Sequence, residues 1–451
     1  MTPDELRAAV AAGEVHDVIL ALPDLMGRLQ GTRIGSRHFI DEVMVDGSSA
    51  GFGACTYLLT TDLDMNVVAP APELDPDGTG YGDMVLVPDP ATLRPLPWDQ
   101  GTVLAIADAR HPDGRPVTVA PRQALRTQIE ALGALGLTPY AGFELEFRVF
   151  EEDYPEAARK HWHDLTPTTR GNVDYALNGL GRLEPFARRV RREFEQAGMV
   201  VESARGECAP GQYEIVFRYD EAMACADGAA FYKTGVRQIA AQEGLAATFM
   251  AKFDRFEGSS CHFHVSMRGE DGTSAFVGDG QWGESELLRH ALAGQLALMP
   301  ELTLLFAPTV NAFKRLRPGA FAPVQAAWGP DNRLTALRLA GSGESLRVEH
   351  RVPGADADPH LALAGVLLAF RHGIEHRLEL PEPTRGAPTA DAPRLPETLA
   401  EAATLLEGSE AARKGLGDDL VDALVAAARA EWAAFLDSVT DWERARGFER
   451  R

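Results

Sequence analysis

Side chains alternate faces along a β-strand, so residues i and i+2 point the same way. Four segments of this chain apply that rule to charged residues. In TPYAGFELEFRVF (138–150) it places Glu144, Glu146 and Arg148 on one face and Phe143, Leu145, Phe147 and Val149 on the other. CHFHVSM (261–267) sets His262, His264 and Ser266 against Phe263, Val265 and Met267. SLRVEHRVP (345–353) sets Arg347, Glu349 and Arg351 against Val348, His350 and Val352. In GECAPGQYEIVF (206–217), Pro210-Gly211 fits the centre of a tight turn and Gln212, Glu214 and Val216 share a face. A hairpin-like bend there returns Glu207 to the side of Glu214. A half-exposed antiparallel sheet explains any one such strand. Four together, with Glu recurring where strands disfavour it, predict one charged, concave sheet face backed by helices, in the class α+β.

Such a face collects five carboxylates, Glu144, Glu146, Glu207, Glu214 and Glu349. Two carboxylates about 4 Å apart repel by roughly 4 kcal/mol at an effective dielectric near 20. Several together need counter-ions or raised pKa values. Oxygen ligands with an imidazole suit Mg²⁺ or Mn²⁺ better than zinc, and neighbouring arginines suit phosphate oxygens. The pattern reads as a metal–nucleotide phosphoryl-transfer site. No Walker A motif and no kinase glycine loop supplies it.

At 451 residues the chain is long for one core, and two domains are expected. A net charge of −22 argues against nucleic acid and anionic membrane surfaces as partners. The start, MTPDELRAAVAAGEVHDV, has no signal-peptide pattern and no apolar run reaches membrane-spanning length, so a cytoplasmic protein is expected. Four scattered cysteines (Cys55, Cys208, Cys225, Cys261) form no CxxC pair and read as buried structural thiols. Short strand candidates such as VHDVILAL and MVLVPD fill the first hundred residues. A turn-rich stretch then ends at Pro121, placed to begin a helix through Leu135. The boundary falls here, giving domains 1–112 and 113–451. Helices are expected at about 185–198, 221–243, 285–305, 358–377 and 417–436, and 381–396 is an exposed Pro-rich loop.

The ordered series GFELEF, GECAPGQYEI, GSSCHFHVS, NAFKRLRPG, Asn332-Arg333 and RVEHR, preceded by DGSS at 46–49, resembles the glutamine synthetase family across nearly the whole chain. The resemblance implies a small N-terminal β-grasp domain and a larger catalytic domain with a curved antiparallel sheet backed by helices. It implies a homo-oligomer, a dodecamer of two stacked hexameric rings, in which the neighbour's N-terminal domain completes each site. It implies two or three Mg²⁺ or Mn²⁺ ions per site, with ATP as co-substrate. Glu146, Glu207 and Glu214 would hold one metal, and Glu144, His262 and Glu349 the second. His264, Ser266, Arg338 and Arg347 would contact ATP. Arg333 would stabilise the transferring phosphoryl group. Gly258, Arg315 and Arg351 would bind glutamate, and Asp46 would help bind the amine from the adjacent subunit.

Two departures from the family bear on function. Where ammonia-using members carry a glutamate after the substrate arginine, RLRPGAFAPV aligns Phe321, which cannot take a proton but can line a pocket for a carbon chain. No tyrosine follows Tyr232, so a C-terminal adenylylation site is absent. The expected activity is ATP-dependent γ-glutamylation of an organic primary amine, either ethanolamine or a polyamine such as putrescine, through γ-glutamyl phosphate. The alternative is an ordinary, ammonia-using glutamine synthetase. A metal-dependent amidohydrolase would need further histidines, and a non-catalytic relative should have lost metal ligands.

Overall fold

The computed structural model describes residues 1–45, 51–68, 74 and 80–450. Asp46 therefore lies outside the described residues. The strands are β1 (Asp17–Pro23), β2 (Leu29–Gly35), β3 (Phe52–Cys55), β4 (Asp83–Pro88), β5 (Arg94–Pro95) and β6 (Thr102–Arg110), then β7 (Thr138–Phe150), β8 (Val201–Gly206), β9 (Gln212–Phe217), β10 (Asp220–Glu221), β11 (Ala246–Thr248), β12 (Cys261–Arg268), β13 (Trp328–Pro330), β14 (Leu337–Ala340) and β15 (Arg347–His350). The first six build a small sheet in the order β2-β1-β6-β4-β3, with β5 against β6 and a parallel β1–β6 pair. The other nine build the large sheet, β13-β14-β15-β12-β7-β9-β8, with β10 and β11 pairing elsewhere along β7.

The large sheet is antiparallel except for β13, which runs parallel to β14. That pair corrects the all-antiparallel expectation. Three residues of strand after a loop carry no periodic signal from which a direction can be read.

Register explains why the charged faces converge. Glu144 lies opposite His262, His264 opposite Glu349, Glu146 opposite Glu214, and Arg205 opposite Glu214. Behind them the apolar partners are buried. Phe143, Leu145, Phe147 and Val149 are at most 4% exposed. Their rings join Phe194, Phe217, Tyr232 and Phe249 in an aromatic cluster with the helix Ala222–Gln242. Each buried ring contributes roughly 1.5–3 kcal/mol by transfer from water, so a one-residue slip of β7 would lose this cluster as well as the acid face.

Two of the long helices start on side-chain caps. Ser285 accepts from the Leu288 amide ahead of Glu286–Phe306, and Asp358 accepts from the Leu361 amide ahead of Pro359–His376. The expected helices form at Pro121–Gly133, Glu184–Gln196, Ala222–Gln242, Glu286–Phe306, Pro359–His376 and Asp418–Asp437. Among the described residues, no helix is long and apolar enough to cross a membrane. The cysteine expectation needs correction: Cys225 and Cys261 are buried, but Cys55 and Cys208 are half-exposed.

Candidate active site

Two adjoining cavities open on the charged face and share Glu144 and Arg205 as walls. The inner one, 190 Å³, is lined by Glu144, Glu146, Glu207, Glu214, His262 and Glu349, with Gly258, Arg315, Phe321, Arg333, Arg338 and Arg351 around them. The outer one, 620 Å³, is lined by His264, Ser266 and Arg347, with Tyr140, Tyr219 and Arg268. Its size lies in the usual range for a ligand site. All the expected site residues within the described chain thus meet in two connected chambers. Arg338 falls in the inner chamber, apart from the other three residues expected on ATP.

The acids form two clusters with different electrostatics. Glu144, His262 and Glu349 offer ligand atoms within 4.8 Å of one another, as do Glu146, Glu207 and Glu214. In the first cluster the charges largely compensate. Burial resists ionisation of Glu144, but the imidazoles of His262 and His264 hold its carboxyl far below the usual range. Burial likewise opposes the charge on Glu349, yet His262 and Arg351 bring it down to about 2. Arg338 Nη1 donates to Glu349 Oε2 at 2.8 Å, and Arg351 Nη1 donates to Oε1. His262, pushed down to about 4 by burial and by Arg351, is neutral at pH 7, leaving a lone pair free to ligate.

The second cluster is anionic and undercompensated. Burial, then the Glu146 charge, pushes Glu207 up to about 8. Burial, then the charges of Glu144 and Glu146, raises Glu214 well above its ordinary value. Burial also raises Glu146, although it accepts from the Ser260 amide at 2.8 Å. Arg205 is the main cation here, 2.5 Å from Glu214 and 3.2 Å from Glu207. Like charges directly opposite on paired strands destabilise a sheet, so this trio suits a hard divalent cation. Carboxylates alone in one cluster, and carboxylates with one neutral imidazole in the other, match the ligands that Mg²⁺ and Mn²⁺ accept.

In the outer chamber Arg347 Nε donates to His264 Nδ1 at 3.1 Å. That bond makes Nδ1 an acceptor, so the ring proton sits on Nε2, 3.1 Å from Glu144 Oε1. Arg315 is fully buried and gives both terminal nitrogens to the carbonyls of Val352 and Arg351, at 2.7 and 3.1 Å. Its guanidinium braces the 351–352 backbone while facing the pocket. Arg333 is exposed on the β13–β14 loop at the chamber wall. Gly258 is fixed by packing, since a Cβ there would lie 2.6 Å from the Ala251 carbonyl and 2.8 Å from Arg315 Cγ. Phe321 is 65% exposed and lines the same chamber.

Residues 118–446 match the family model of the glutamine synthetase catalytic domain. The chain belongs to the glutamine synthetase family. Over 448 residues it is 51% identical to γ-glutamylethanolamide synthetase GlnA4 of Streptomyces coelicolor, covering 99% of this chain and 96% of the relative. It is 32% identical to a glutamate–isopropylamine ligase of a Pseudomonas species, covering 98% and 97%. The solved structure of GmaS with ADP superposes with a TM-score of 0.84 at 28% identity, over 98% of this chain and 99% of that one. This glutamine synthetase-like protein is an ATP-dependent glutamate–amine ligase, of a family that works with divalent metal ions.

Sequence reasoning missed several residues of this site. Arg205 lies two before Glu207, a spacing of the kind used for the other strands. Gln212 shares the Glu214 face by alternation, and its Nε2 ties Glu146 at 2.8 Å to the Gly258 carbonyl at 2.9 Å. Asp174, Tyr175 and Glu257 sit on loops, where no periodicity marks them. Cys208 also lines the chamber and donates to Asp174 at 3.5 Å. Burial, then the Asp174 and Glu207 charges, pushes the thiol up to about 12, so it is protonated and a weak nucleophile.

Proposed function

We propose that this ligase joins the γ-carboxylate of glutamate to ethanolamine. The observation that carries the reading is Phe321, an aromatic wall on the loop where ammonia-using members present a carboxylate. The 51% identity to a γ-glutamylethanolamide synthetase supports it. A carboxylate is a poor electrophile because resonance stabilises its carbon and oxide is a bad leaving group. Transfer of the ATP γ-phosphoryl group to glutamate makes an acyl phosphate, which the amine attacks with loss of phosphate.

In this reading His264, Ser266 and Arg347 hold the nucleotide phosphates in the outer chamber, beside the two clusters. Arg338 braces Glu349 and reaches the same phosphates from the inner side. Arg333, exposed on its loop, stabilises the phosphoryl group in flight. Arg351 and the backbone at Gly258 hold glutamate, with Arg315 bracing the strand end. Two divalent ions, one on Glu146, Glu207 and Glu214 and one on Glu144, His262 and Glu349, would neutralise charge on the phosphoryl oxygens. Residues 1–112 and 113–451 are read as the two domains, in a ring oligomer whose neighbouring subunit contributes Asp46.

The test is ADP release with glutamate and a panel of ammonia, methylamine, isopropylamine, ethanolamine and putrescine. Each buried methylene is worth about 0.8 kcal/mol, so the two of ethanolamine recover roughly 1.6 kcal/mol that ammonia cannot. Ethanolamine should show the highest kcat/KM, and Phe321→Glu should shift preference toward ammonia. A higher kcat/KM for ammonia in the unmodified enzyme sinks the reading; a higher value for putrescine moves the substrate to polyamines.

A further inference from the structure

With an aromatic ring at position 321, the loop that would meet the amine offers no anion of its own. One arrives from the facing segment. The Phe321 backbone N–H donates to Glu257 Oε2 at 3.4 Å, so the Glu257 carboxylate lies against the backbone of the residue where the family's glutamate would stand. Both residues line the inner chamber with Asp174, Tyr175 and Glu207.

Glu257 is held there by its neighbours in sequence. Gly258 has no space for a side chain, and its carbonyl accepts from Gln212 at 2.9 Å. The Ser259 amide donates to the Ala251 carbonyl at 2.9 Å. On the other side, the Phe256 amide donates to Asp254 at 2.9 Å and its carbonyl accepts from Lys252 Nζ at 2.5 Å. The backbone on both flanks is pinned, so the side chain is aimed without a large ordering cost. Among the described residues Glu257 has no ion-pair partner, only the Phe321 amide. A half-buried carboxylate at the wall of a small chamber, flanked by an exposed aromatic ring and lacking a cation, has the complement of an alkylammonium ion.

We propose that Glu257 receives the incoming amine: it binds the nucleophile as its ammonium ion and accepts the proton that frees the lone pair. This rests on the reading of the enzyme as an amine ligase. One proton passes from nitrogen to the Glu257 carboxylate. The lone pair then forms the C–N bond to the γ-carbon as the carbon–oxygen bond to phosphate breaks. Phosphate departs with that electron pair, and the second surplus nitrogen proton leaves with it. Phe321 covers the carbon chain while Glu257 takes the charged end.

The experiment compares wild type with Glu257→Gln and Glu257→Asp, using whichever amine of the panel the wild type turns over best, and also hydroxylamine. Hydroxylamine is largely uncharged at neutral pH and needs neither an anionic partner nor a base. In Glu257→Gln, the amine KM should rise roughly ten- to hundredfold, the scale of a hydrogen bond to a charged group, and kcat should fall. The KM values for glutamate and ATP, and the rate with hydroxylamine, should stay near wild type. Glu257→Asp should recover part of the amine activity. Equal losses with hydroxylamine and with the amine, or a raised glutamate KM with an unchanged amine KM, would overturn the assignment. Because the amine is chosen from the wild-type panel, a mistaken substrate and a mistaken residue give different results.

Discussion

Glu214→Gln should make the metal-free protein more stable and the metal-loaded protein inactive. Glu214 is 1% exposed and shares its cluster with Glu146 and Glu207, with ligand atoms within 4.8 Å. Two unit charges at that distance repel by about 3.5 kcal/mol at an effective dielectric near 20. Burial and the charges of Glu144 and Glu146 raise Glu214 well above its ordinary value, and glutamine keeps the shape while removing the cost of holding that carboxyl there, charged or protonated. Two terms reduce the gain. Glu207, pushed up to about 8, already holds a proton for much of the time at pH 7. Arg205 also loses one of its two partners. A net gain of about 1–3 kcal/mol remains, a few degrees in Tm. Divalent metal reverses the comparison. At a hundredfold excess over Kd, ligand binding stabilises wild type by about 2.7 kcal/mol, and the variant loses most of that. The assay is thermal unfolding of both proteins in EDTA and in saturating Mg²⁺, with ADP release measured on the same preparations. A variant less stable than wild type by the same amount in both buffers would refute the reasoning, because Glu214 would then be a structural acid balanced by Arg205.

Two further predictions concern the framework and the assembly. His360 is buried with Nε2 2.9 Å from Asp227 Oδ1; burial opposes its charge, but Asp227 and Asp358 raise it to about 9. A raised folded-state value stabilises fully below the ordinary 6.5 and is lost as pH rises toward 9, on the order of 3 kcal/mol. Tm measured from pH 6 to 9.5 should therefore fall more steeply in wild type than in His360→Gln, and identical slopes would exclude this group. If Asp46 serves a neighbouring subunit, mixing Asp46→Ala with Arg333→Ala chains should restore some ADP release, since some interfaces then hold one intact site. No recovery in verified mixed oligomers would count against sharing.

The parts of this site that a strand carries were legible because alternation assigns faces residue by residue. Glu144, Glu146, Glu214, His262 and Glu349 needed only the i, i+2 rule, and the burial of Phe143 and Phe147 behind them follows from the same parity. Helix ends were legible where Ser285, Asp358 and Pro121 mark them. The loops were not. Glu257 reaches Phe321 across 64 residues of sequence, and Asp174 reaches Cys208 across 34. Nothing local to either residue encodes such a meeting. Arg338 parts from the other three residues expected on ATP because its strand register faces it to Glu349, a tertiary fact.

The two acid clusters ride on one strand. Glu144 belongs to one and Glu146 to the other, and β7 is hydrogen-bonded along both of its edges there, to β12 and β9. Two residues along a strand span about 6.7 Å, so the backbone acts as a ruler for the spacing between clusters. Phe321 and Glu257 lie instead on loops, outside every strand and helix. If those two residues meet the amine as proposed, a lineage could trade one nucleophile for another by editing loops while the strand-borne clusters stay fixed. Selectivity and reactivity would then be free to evolve at different rates.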